Sequence, residues 1–304
     1  MRLGIIGLGR MGAGVAERLI RDGHEVVGFD PKPDARKALM AVGGEGADSL
    51  AMLVARLPPP RTLWIMLPAG EAIDGALLEL FELLESGDTV IDGGNSHYRD
   101  TQRRANWLAE CRIDYVDCGT SGGIRGLAHG FSLMIGGDVA VVERLRPIFA
   151  SLAPRADRGW GRVGPTGAGH FTKMVHNGIE YGLMQAYAEG FSMLHHKAEF
   201  GLDPHQIAAI WRDGSVVRSW LLDLTAETLE GNPALTGIAP YIEDSGEGRW
   251  TVAEAIDLGV SAPVITLALL ERLRSRDSAA YGARLLAALR NRFGGHPVHR
   301  LEGE

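Results

Sequence analysis

Lys173, His176, Asn177 and Glu180 lie within one segment, GAGHFTKMVHNGIEYGLMQAYAEG, at positions i, i+3, i+4 and i+7. That spacing sets an amine, an imidazole, an amide and a carboxylate on one face of a helix. A stripe at this spacing is ordinarily apolar and faces a core. Here Phe171, Met174, Val175, Ile179 and Met184 supply the apolar positions around it. Burying an amine and a carboxylate is costly unless they are paired or used. The stripe is therefore either a solvated face with a helical ion pair or a face that works on a ligand. A Lys and a Glu seven residues apart sit about 10 Å apart along the axis. That is far enough to address opposite ends of a small polar substrate.

Such a helix needs a frame, and the first half of the chain predicts one. Short β-branched runs at Arg2–Ile6, Glu25–Phe29, Thr62–Leu67, Thr89–Asp92, Tyr115–Asp117 and Phe131–Ile135 read as strands. Helical patterns alternate with them at Met11–Asp22, Pro33–Val42, Ile73–Leu84, Arg99–Glu110 and Val141–Ala153. This alternation predicts an α/β fold whose N-terminal domain is a doubly wound, mostly parallel, Rossmann-type sheet. Beyond about Gly164 the strand signal fades. The Lys173 helix is followed by Pro204–Asp213, Ser219–Glu230, Val252–Leu258, Val264–Arg276 and Ala283–Phe293, an all-helical C-terminal domain. The glycine-rich GPTGAG at 164–169 is the expected hinge, giving domains of 1–165 and 166–304.

Gly7-Leu8-Gly9-Arg10-Met11-Gly12 is a GxGxxG that follows the first strand and opens the first helix. In that context Gly7 permits the tight turn, Gly9 admits a pyrophosphate, and Gly12 lets helix and sheet pack closely. The helix N-terminus then offers free N–H groups and its positive dipole end to phosphates. Asp30 ends the second strand, eighteen residues after Gly12. A carboxylate there accepts from adenosine ribose hydroxyls and repels a 2′-phosphate, which favours NAD. Lys32 and Arg36 follow and work against that preference, leaving NADP as the second cofactor. Leu67, at the end of the third strand, and Asn95 are placed on the cofactor side as well.

Composition removes several classes of function. The 31 Lys and Arg against 38 Asp and Glu give a net charge of −7, not the charge of a nucleic-acid-binding chain. Cys111 and Cys118 have neither metal nor redox spacing. The His residues form no metal set, and His195-His196, being adjacent, point to different helix faces. No apolar run reaches membrane-spanning length and RLGIIGLG is not a secretory leader, so a cytoplasmic protein with no membrane partner is expected.

Two more motifs lie at strand ends, where open α/β sheets bind ligands. Asp92-Gly93-Gly94-Asn95-Ser96 offers the donor and acceptor of Asn95; Gly119-Thr120-Ser121-Gly122-Gly123 carries the second. Each is equally an ordinary turn or flexible loop when taken alone. In order along the chain, GLGRMG, IDGGNSHYRDT, SGG with FSLMIGG, GAGHFTKMVHNGIEYGLMQ, EDSGEGRWT and RNRFGGH resemble the 6-phosphogluconate dehydrogenases, within the wider β-hydroxyacid dehydrogenase group. The SGG and GxGxxxKxxxN patterns are shared by the wider group, whereas KMVHNGIEY and FGGH are particular to the phosphogluconate branch. At 304 residues the chain looks like the short form, without the duplicated part of the helical domain.

The resemblance implies oxidative decarboxylation of 6-phospho-D-gluconate with reduction of NAD. It makes Lys173 the general base for hydride transfer and Glu180 the acid that protonates C1 afterwards. Asn95, Ser121, Gly122, Gly123, His176 and Asn177 fall on positions around the sugar-acid carboxylate and hydroxyls. Tyr181 falls on a phosphate-binding position and Arg272 aligns with a phosphate-binding arginine. Arg290 and His296 match a tail that reaches a neighbouring subunit's site, implying a homodimer or homotetramer. Departures are visible too. The family's KGTGKWT is here Ser245-Gly246-Glu247-Gly248-Arg249-Trp250-Thr251, so one phosphate-binding lysine is missing and Arg249 stands at the second. Ile124 and Arg125 replace two common acidic residues, and Asp30-Pro31-Lys32 replaces an NADP-type Asn-Arg-Thr.

The implied chemistry suits these side chains. Oxidising a secondary alcohol requires loss of a proton as hydride leaves, and a neutral lysine takes it where burial or a nearby cation lowers its pKa. The resulting β-keto acid loses carbon dioxide once its carbonyl is polarised, which a protonated lysine does without a metal. Two competing readings remain. A non-decarboxylating 3-hydroxy acid dehydrogenase uses Lys173 and Asn177 but gives Glu180, Tyr181, Arg272 and Arg290 no role. A non-catalytic NAD-sensing protein has no chemical reason to keep Lys173 and Glu180.

Overall fold

The computed structural model describes residues 1–299. By packing, the chain divides into a unit of Met1–Asn177 and a second unit from Gly178 onward.

The first unit is built on one eight-stranded sheet of order β3-β2-β1-β4-β5-β6-β7-β8. Its strands are β1 Arg2–Ile6, β2 Glu25–Phe29, β3 Glu45–Ala47, β4 Thr62–Ile65, β5 Thr89–Asp92, β6 Asp114–Ser121, β7 Ser132–Gly136 and β8 Trp160–Gly164. Every pairing is parallel except β6 with β7. The intervening helices are α1 Arg10–Arg21, α2 Pro33–Ala41, α3 Leu50–Ala55, α4 Glu71–Phe81, α5 Tyr98–Ala109, α6 Gly126–His129, α7 Val139–Arg144 and α8 Arg146–Leu152. Strand residues alternate between two cores, as a period of two requires. Leu3, Ile5, Trp64, Ile91, Val116 and Cys118 face one side; Ile6, Leu63, Ile65, Val90 and Tyr115 face the other. Burial on both faces is what a helix-covered parallel sheet needs. α1 supplies Val15, Ala16 and Leu19 to the first core.

Register matters more for function than the core does. Ile6 pairs with both Phe29 and Ile65, Ile65 with Asp92, and Asp92 with Asp117. The C-terminal ends of β2, β1, β4 and β5 therefore lie in one row, level with Asp117 inside β6, and the strand order reverses between β1 and β4 within it. A ligand crevice is expected at such a reversal.

The helix α9, Ala168–His196, runs unbroken from the first unit into the second. The second unit continues with α10 Pro204–Trp211, α11 Trp220–Gly231, α12 Glu247–Asp257, α13 Pro263–Arg274 and α14 Tyr281–Gly294. Asp203 and Ser219 cap α10 and α11 with their side chains. An apolar cleft of about 520 Å³ is lined by Met184, Tyr187, Phe191, Leu221 and Leu224 among others, and holds none of the expected site residues. No helix among the described residues is long and apolar enough to cross a membrane.

Several elements differ from the sequence reading. β3, α3, α6 and β8 are additional, and Val141–Ala153 is two helices because Pro147, in the first turn of α8, starts a new one. β6 extends through Ser121, so Gly119, Thr120 and Ser121 are strand residues rather than a loop beyond a strand. Packing divides the chain at Asn177/Gly178. The first turns of α9 belong with the sheet, where a Cβ on Gly169 would lie 2.4 Å from the Met134 carbonyl oxygen.

Candidate active site

The glycine turn after β1 is shaped by contacts that exclude side chains. Gly7 has φ +90°, and a Cβ there would lie 2.5 Å from the Met66 carbonyl oxygen and 2.9 Å from Leu67 Cδ2. A Cβ on Gly12 would lie 1.9 Å from the Gly7 carbonyl oxygen. Beyond Gly9, by contrast, the space is open. No side chain caps the α1 N-terminus and its first turn carries no acidic residue. Leu8 is buried, Arg10 exposed and Met11 half-buried. An uncapped helix end beside an open glycine forms a cradle that can receive an anion.

Asp30 is tied into this cradle. Its Oδ2 accepts from the Leu8 N–H at 2.9 Å and its Oδ1 from the Lys32 N–H at 2.9 Å. A carboxylate has about four acceptor directions, so two remain for donors of a ligand. Arg36 is not aimed at the carboxylate. Its Nη1 donates to the Asp30 carbonyl oxygen at 2.7 Å and its Nη2 pairs with Asp48 at 2.9 Å.

Asn95 stands at φ +54° beyond β5. Its Nδ2 donates to the Thr120 carbonyl at 3.1 Å and its Oδ1 accepts from the Thr120 N–H at 2.9 Å. The side chain thus continues the sheet ladder onto β6. One donor and one lone pair are left for a ligand. Leu67 lies between this turn and the glycine cradle: its carbonyl oxygen would meet a Cβ on Gly94 at 2.5 Å.

Lys173 is 6% exposed. Its Nζ donates to Asn177 Oδ1 at 2.7 Å and lies 3.2 Å from His176 Nδ1. His176 Nε2 lies 3.5 Å from Ser121 Oγ. Gly122 and Gly123 follow with φ +123° and +53°. The first unit therefore gathers Lys173, His176, Asn177, Ser121 and the Gly122-Gly123 turn. The solvated-face reading of the helix stripe fails at Lys173, which is buried among partners.

Glu180 is half-buried, two turns further along α9. Next to it, Tyr181 is 7% exposed and its hydroxyl, buried, has no hydrogen-bond partner among the described residues. The Arg272 guanidinium carbon sits 3.6 Å from the Tyr181 ring centre, and its Nη1 donates to the Glu243 carbonyl at 3.0 Å. Arg249 pairs with Asp244, whose side chain is 2% exposed. Burial pushes that carboxyl up, but donation from Arg249 and the Gly246 N–H, with the Arg249 and Arg276 charges, outweighs it and holds Asp244 below the usual carboxylate range. Arg249 is thus engaged by an ionised partner. Arg290 and His296 stand on exposed α14 and just beyond it, and no described contact in this chain joins them to the others.

Sequence reasoning missed the polar groups that hold these pieces. Asp117, fully buried, accepts from the Gly167 N–H at 2.7 Å and the His170 N–H at 2.8 Å, fixing the start of α9. Fully buried Asp92 accepts from the Gly94 N–H, the Ser96 hydroxyl and the Tyr115 hydroxyl. Burial and then the Asp92 charge push the Tyr115 phenol well above its ordinary pKa, so it stays a donor. Arg104, 1% exposed, lies 3.6 Å from the Asp92 carboxylate and donates to Ser96. A carboxylate following each of two apolar β-branched runs, VID at 90–92 and YVD at 115–117, was the available signal.

Comparison with known proteins agrees with this geometry. Residues 2–161 match a family described as the NAD binding domain of 6-phosphogluconate dehydrogenase, and residues 169–281 match the 6-phosphogluconate dehydrogenase C-terminal domain. A relative from Haloferax volcanii named 6-phosphogluconate dehydrogenase, NAD(+)-dependent, decarboxylating is 45% identical over 301 residues, covering 99% of each chain. The solved Plasmodium falciparum 6-phosphogluconate dehydrogenase, described as apo and in complexes with NADP+ and with 6-phosphogluconate, superposes with a TM-score of 0.84 at 26% identity. That match covers 100% of this chain and 67% of the other. The 3-hydroxyisobutyrate dehydrogenase of Mycobacterium tuberculosis, at 22% identity and a TM-score of 0.73 over 91% of this chain and 94% of its own, shares the fold. With both domain matches in order and 45% identity over nearly the whole of two chains, this chain belongs to the 6-phosphogluconate dehydrogenase family.

Proposed function

We propose that the protein oxidatively decarboxylates 6-phospho-D-gluconate to D-ribulose 5-phosphate and carbon dioxide, with NAD as the electron acceptor. The observation that carries the reading is buried Lys173, hydrogen-bonded to Asn177 and beside His176, with Glu180 two turns further on the same helix. The cradle of Gly7, Leu8, Gly9, Arg10, Met11 and Gly12, with Asp30, Leu67 and Asn95, suits a dinucleotide: phosphate at the open Gly9 and ribose at Asp30. Bound there, NAD supplies the hydride acceptor.

Neutral Lys173 takes the proton of the C3 hydroxyl. Asn177 Oδ1 holds its Nζ in place. Once protonated, Lys173 polarises the 3-keto carbonyl, so the C1 carboxylate departs as carbon dioxide and the electron pair is received as an enediol. Glu180 then delivers the proton to the carbon that has lost its carboxylate. Asn95, Ser121, the Gly122-Gly123 turn and His176 bind the carboxylate and hydroxyls. The Tyr181 hydroxyl, without a partner among the described residues and with Arg272 stacked on its ring, receives the phosphate. Arg249 supplements them only when its pairing with Asp244 is relaxed. Purified protein given 6-phosphogluconate and NAD should release reduced cofactor and carbon dioxide in equal amounts. Cofactor reduction without carbon dioxide would overturn the reading.

The cofactor preference has its own test. Replacing Asp30 with Ser removes the charge facing a 2′-phosphate, and kcat/KM for NADP relative to NAD is expected to rise about 10-fold or more. A wild-type enzyme that already favours NADP by a wide margin would contradict the role given to Asp30.

The protein works as a homo-oligomer, a dimer or tetramer, in which Arg290 and His296 serve a neighbouring site. α14 supports this: no residue on it is buried, and Leu286, Leu289 and Phe293 are 64%, 53% and 96% exposed. Exposed apolar surface of that kind marks an interaction face. Mixing inactive Lys173→Met with Arg290→Ala protein tests it. Mixed dimers carry one site with both native residues, so activity should return to roughly a quarter of wild type at equal mixing, since half the dimers are mixed and one site in each works. No recovery despite demonstrated subunit exchange counts against the shared site.

A further inference from the structure

Asp92 and His170 both belong to motifs with chemical roles assigned around them, yet neither has one. His170 is 1% exposed and lies one turn before Lys173 on α9. Its Nε2 is 3.1 Å from the Asp92 carbonyl oxygen and its Nδ1 2.7 Å from Thr101 Oγ1. A carbonyl only accepts, so Nε2 carries the proton, and the Thr101 hydroxyl, 2.7 Å from Nδ1 against 3.4 Å from the His97 carbonyl oxygen, gives its one proton to Nδ1. Both ring nitrogens are thereby satisfied and the ring is fixed in one tautomer.

Asp92 is held from the other side. Its carboxylate accepts from the Gly94 N–H at 3.0 Å and the Ser96 hydroxyl at 2.8 Å, the two residues flanking Asn95. One residue thus grips the Asn95 turn with its side chain and the Lys173 helix with its carbonyl. We propose that His170 is a positioning residue: by donating to the Asp92 carbonyl, with Thr101 setting its tautomer, it fixes Lys173 relative to Asn95. The proposal rests on the reading of Lys173 as the base. His170 touches no reacting atom; it acts through the helix. Displacements of about 1 Å at a reacting group cost on the order of 100-fold in rate, and a hydrogen bond one turn away on a rigid helix controls motions of that size.

The test uses the full-length protein, with wild type and Lys173→Met as references. His170→Leu removes the donor and is expected to lower kcat with 6-phosphogluconate about 10- to 100-fold. NAD affinity, measured by fluorescence titration, should change less than about twofold, because the glycine cradle lies on other elements. His170→Gln carries an amide N–H that reaches as far as Nε2, and should recover at least about a third of kcat. Hydrogen exchange at the α9 amides from 169 to 174 should quicken in the Leu variant and not in the Gln variant.

A folded His170→Leu enzyme with wild-type kcat overturns the proposal, and so does a Gln variant no better than the Leu variant. Should the Leu variant fail to fold, Thr101→Val decides. It leaves His170 in place without its hydroxyl anchor and should lower kcat about 3- to 10-fold, whereas unchanged turnover overturns the proposal. Wild-type protein inert toward 6-phosphogluconate, or Lys173→Met with normal turnover, sinks the assignment of Lys173 instead. The exchange measurement then decides separately whether His170 anchors the helix, and unchanged exchange in His170→Leu rejects it.

Discussion

Lys173→Met is expected to lower kcat for 6-phosphogluconate by on the order of 10⁴-fold while leaving NAD binding intact. Methionine fills nearly the same buried volume, so the packing of a 6% exposed side chain is largely kept. What disappears is the nitrogen. Proton removal from the C3 hydroxyl and polarisation of the C3 carbonyl are lost together, and acid–base groups typically contribute about 10²–10⁴-fold. Asn177 Oδ1 also loses its donor, which adds a modest stability cost of about 1 kcal/mol. Glu180→Gln gives the contrast, since hydride transfer survives and the late protonation slows. The distinguishing measurement is a single-turnover burst of reduced NAD, expected in Glu180→Gln and absent in Lys173→Met. Near-normal turnover by the methionine variant would remove the mechanism's first step.

Local signals carried much of the fold. The GxGxxG turn is written in adjacent residues whose backbone needs are visible one by one, and the structure puts Gly7 and Gly12 against backbone oxygen. Strands β1, β2 and β5 and the amphipathic α1 announce themselves by period and burial. Weaker elements did not. β3 is three residues long, α3 six, and β8, WGRVG, contains two glycines and has no buried residue. None has enough residues or enough apolar contrast to produce a period. Their order comes from pairing with strands already in the sheet.

The candidate site divides along the same line. Lys173, His176, Asn177 and Glu180 share one helix, so their spacing alone set them on one face. The residues that aim them are bonded across the sheet, between positions 50 and 78 residues apart, and no local pattern links Asp117 to Gly167 or Asp92 to His170. Asn95 shows the middle case. Its amide was legible as a functional group, but its commitment to both backbone groups of Thr120 depends on the β5–β6 register.

Gly119→Ala is expected to lower kcat about 100-fold with no functional group removed. Gly119 sits in β6, opposite Met134 of β7. A Cβ there would lie 2.5 Å from Lys173 Cβ and 2.7 Å from the Gly169 carbonyl oxygen. Side-chain adjustment does not relieve this, because one obstacle is backbone and the other is the first carbon of Lys173. Nor can α9 slide away freely, since the Asp117 carboxylate holds its Gly167 and His170 N–H groups. The helix must lift from the strand by roughly 1 Å to reach ordinary contact distance, and that carries Lys173 away from Ser121 and Asn95. Overpacking of this kind costs about 1–3 kcal/mol, or a fall in Tm of several degrees in a chain this long. The misplaced base should cost about 100-fold in kcat, and NAD affinity should hold because the glycine cradle is built on β1 and α1. Gly161→Ala in β8 is the matched control: nothing lies within 4 Å of its added carbon, so Tm and kcat should stay at wild-type values. A Gly119→Ala enzyme that matches this control in both measurements would show that the close crossing of α9 over β6 does not position Lys173.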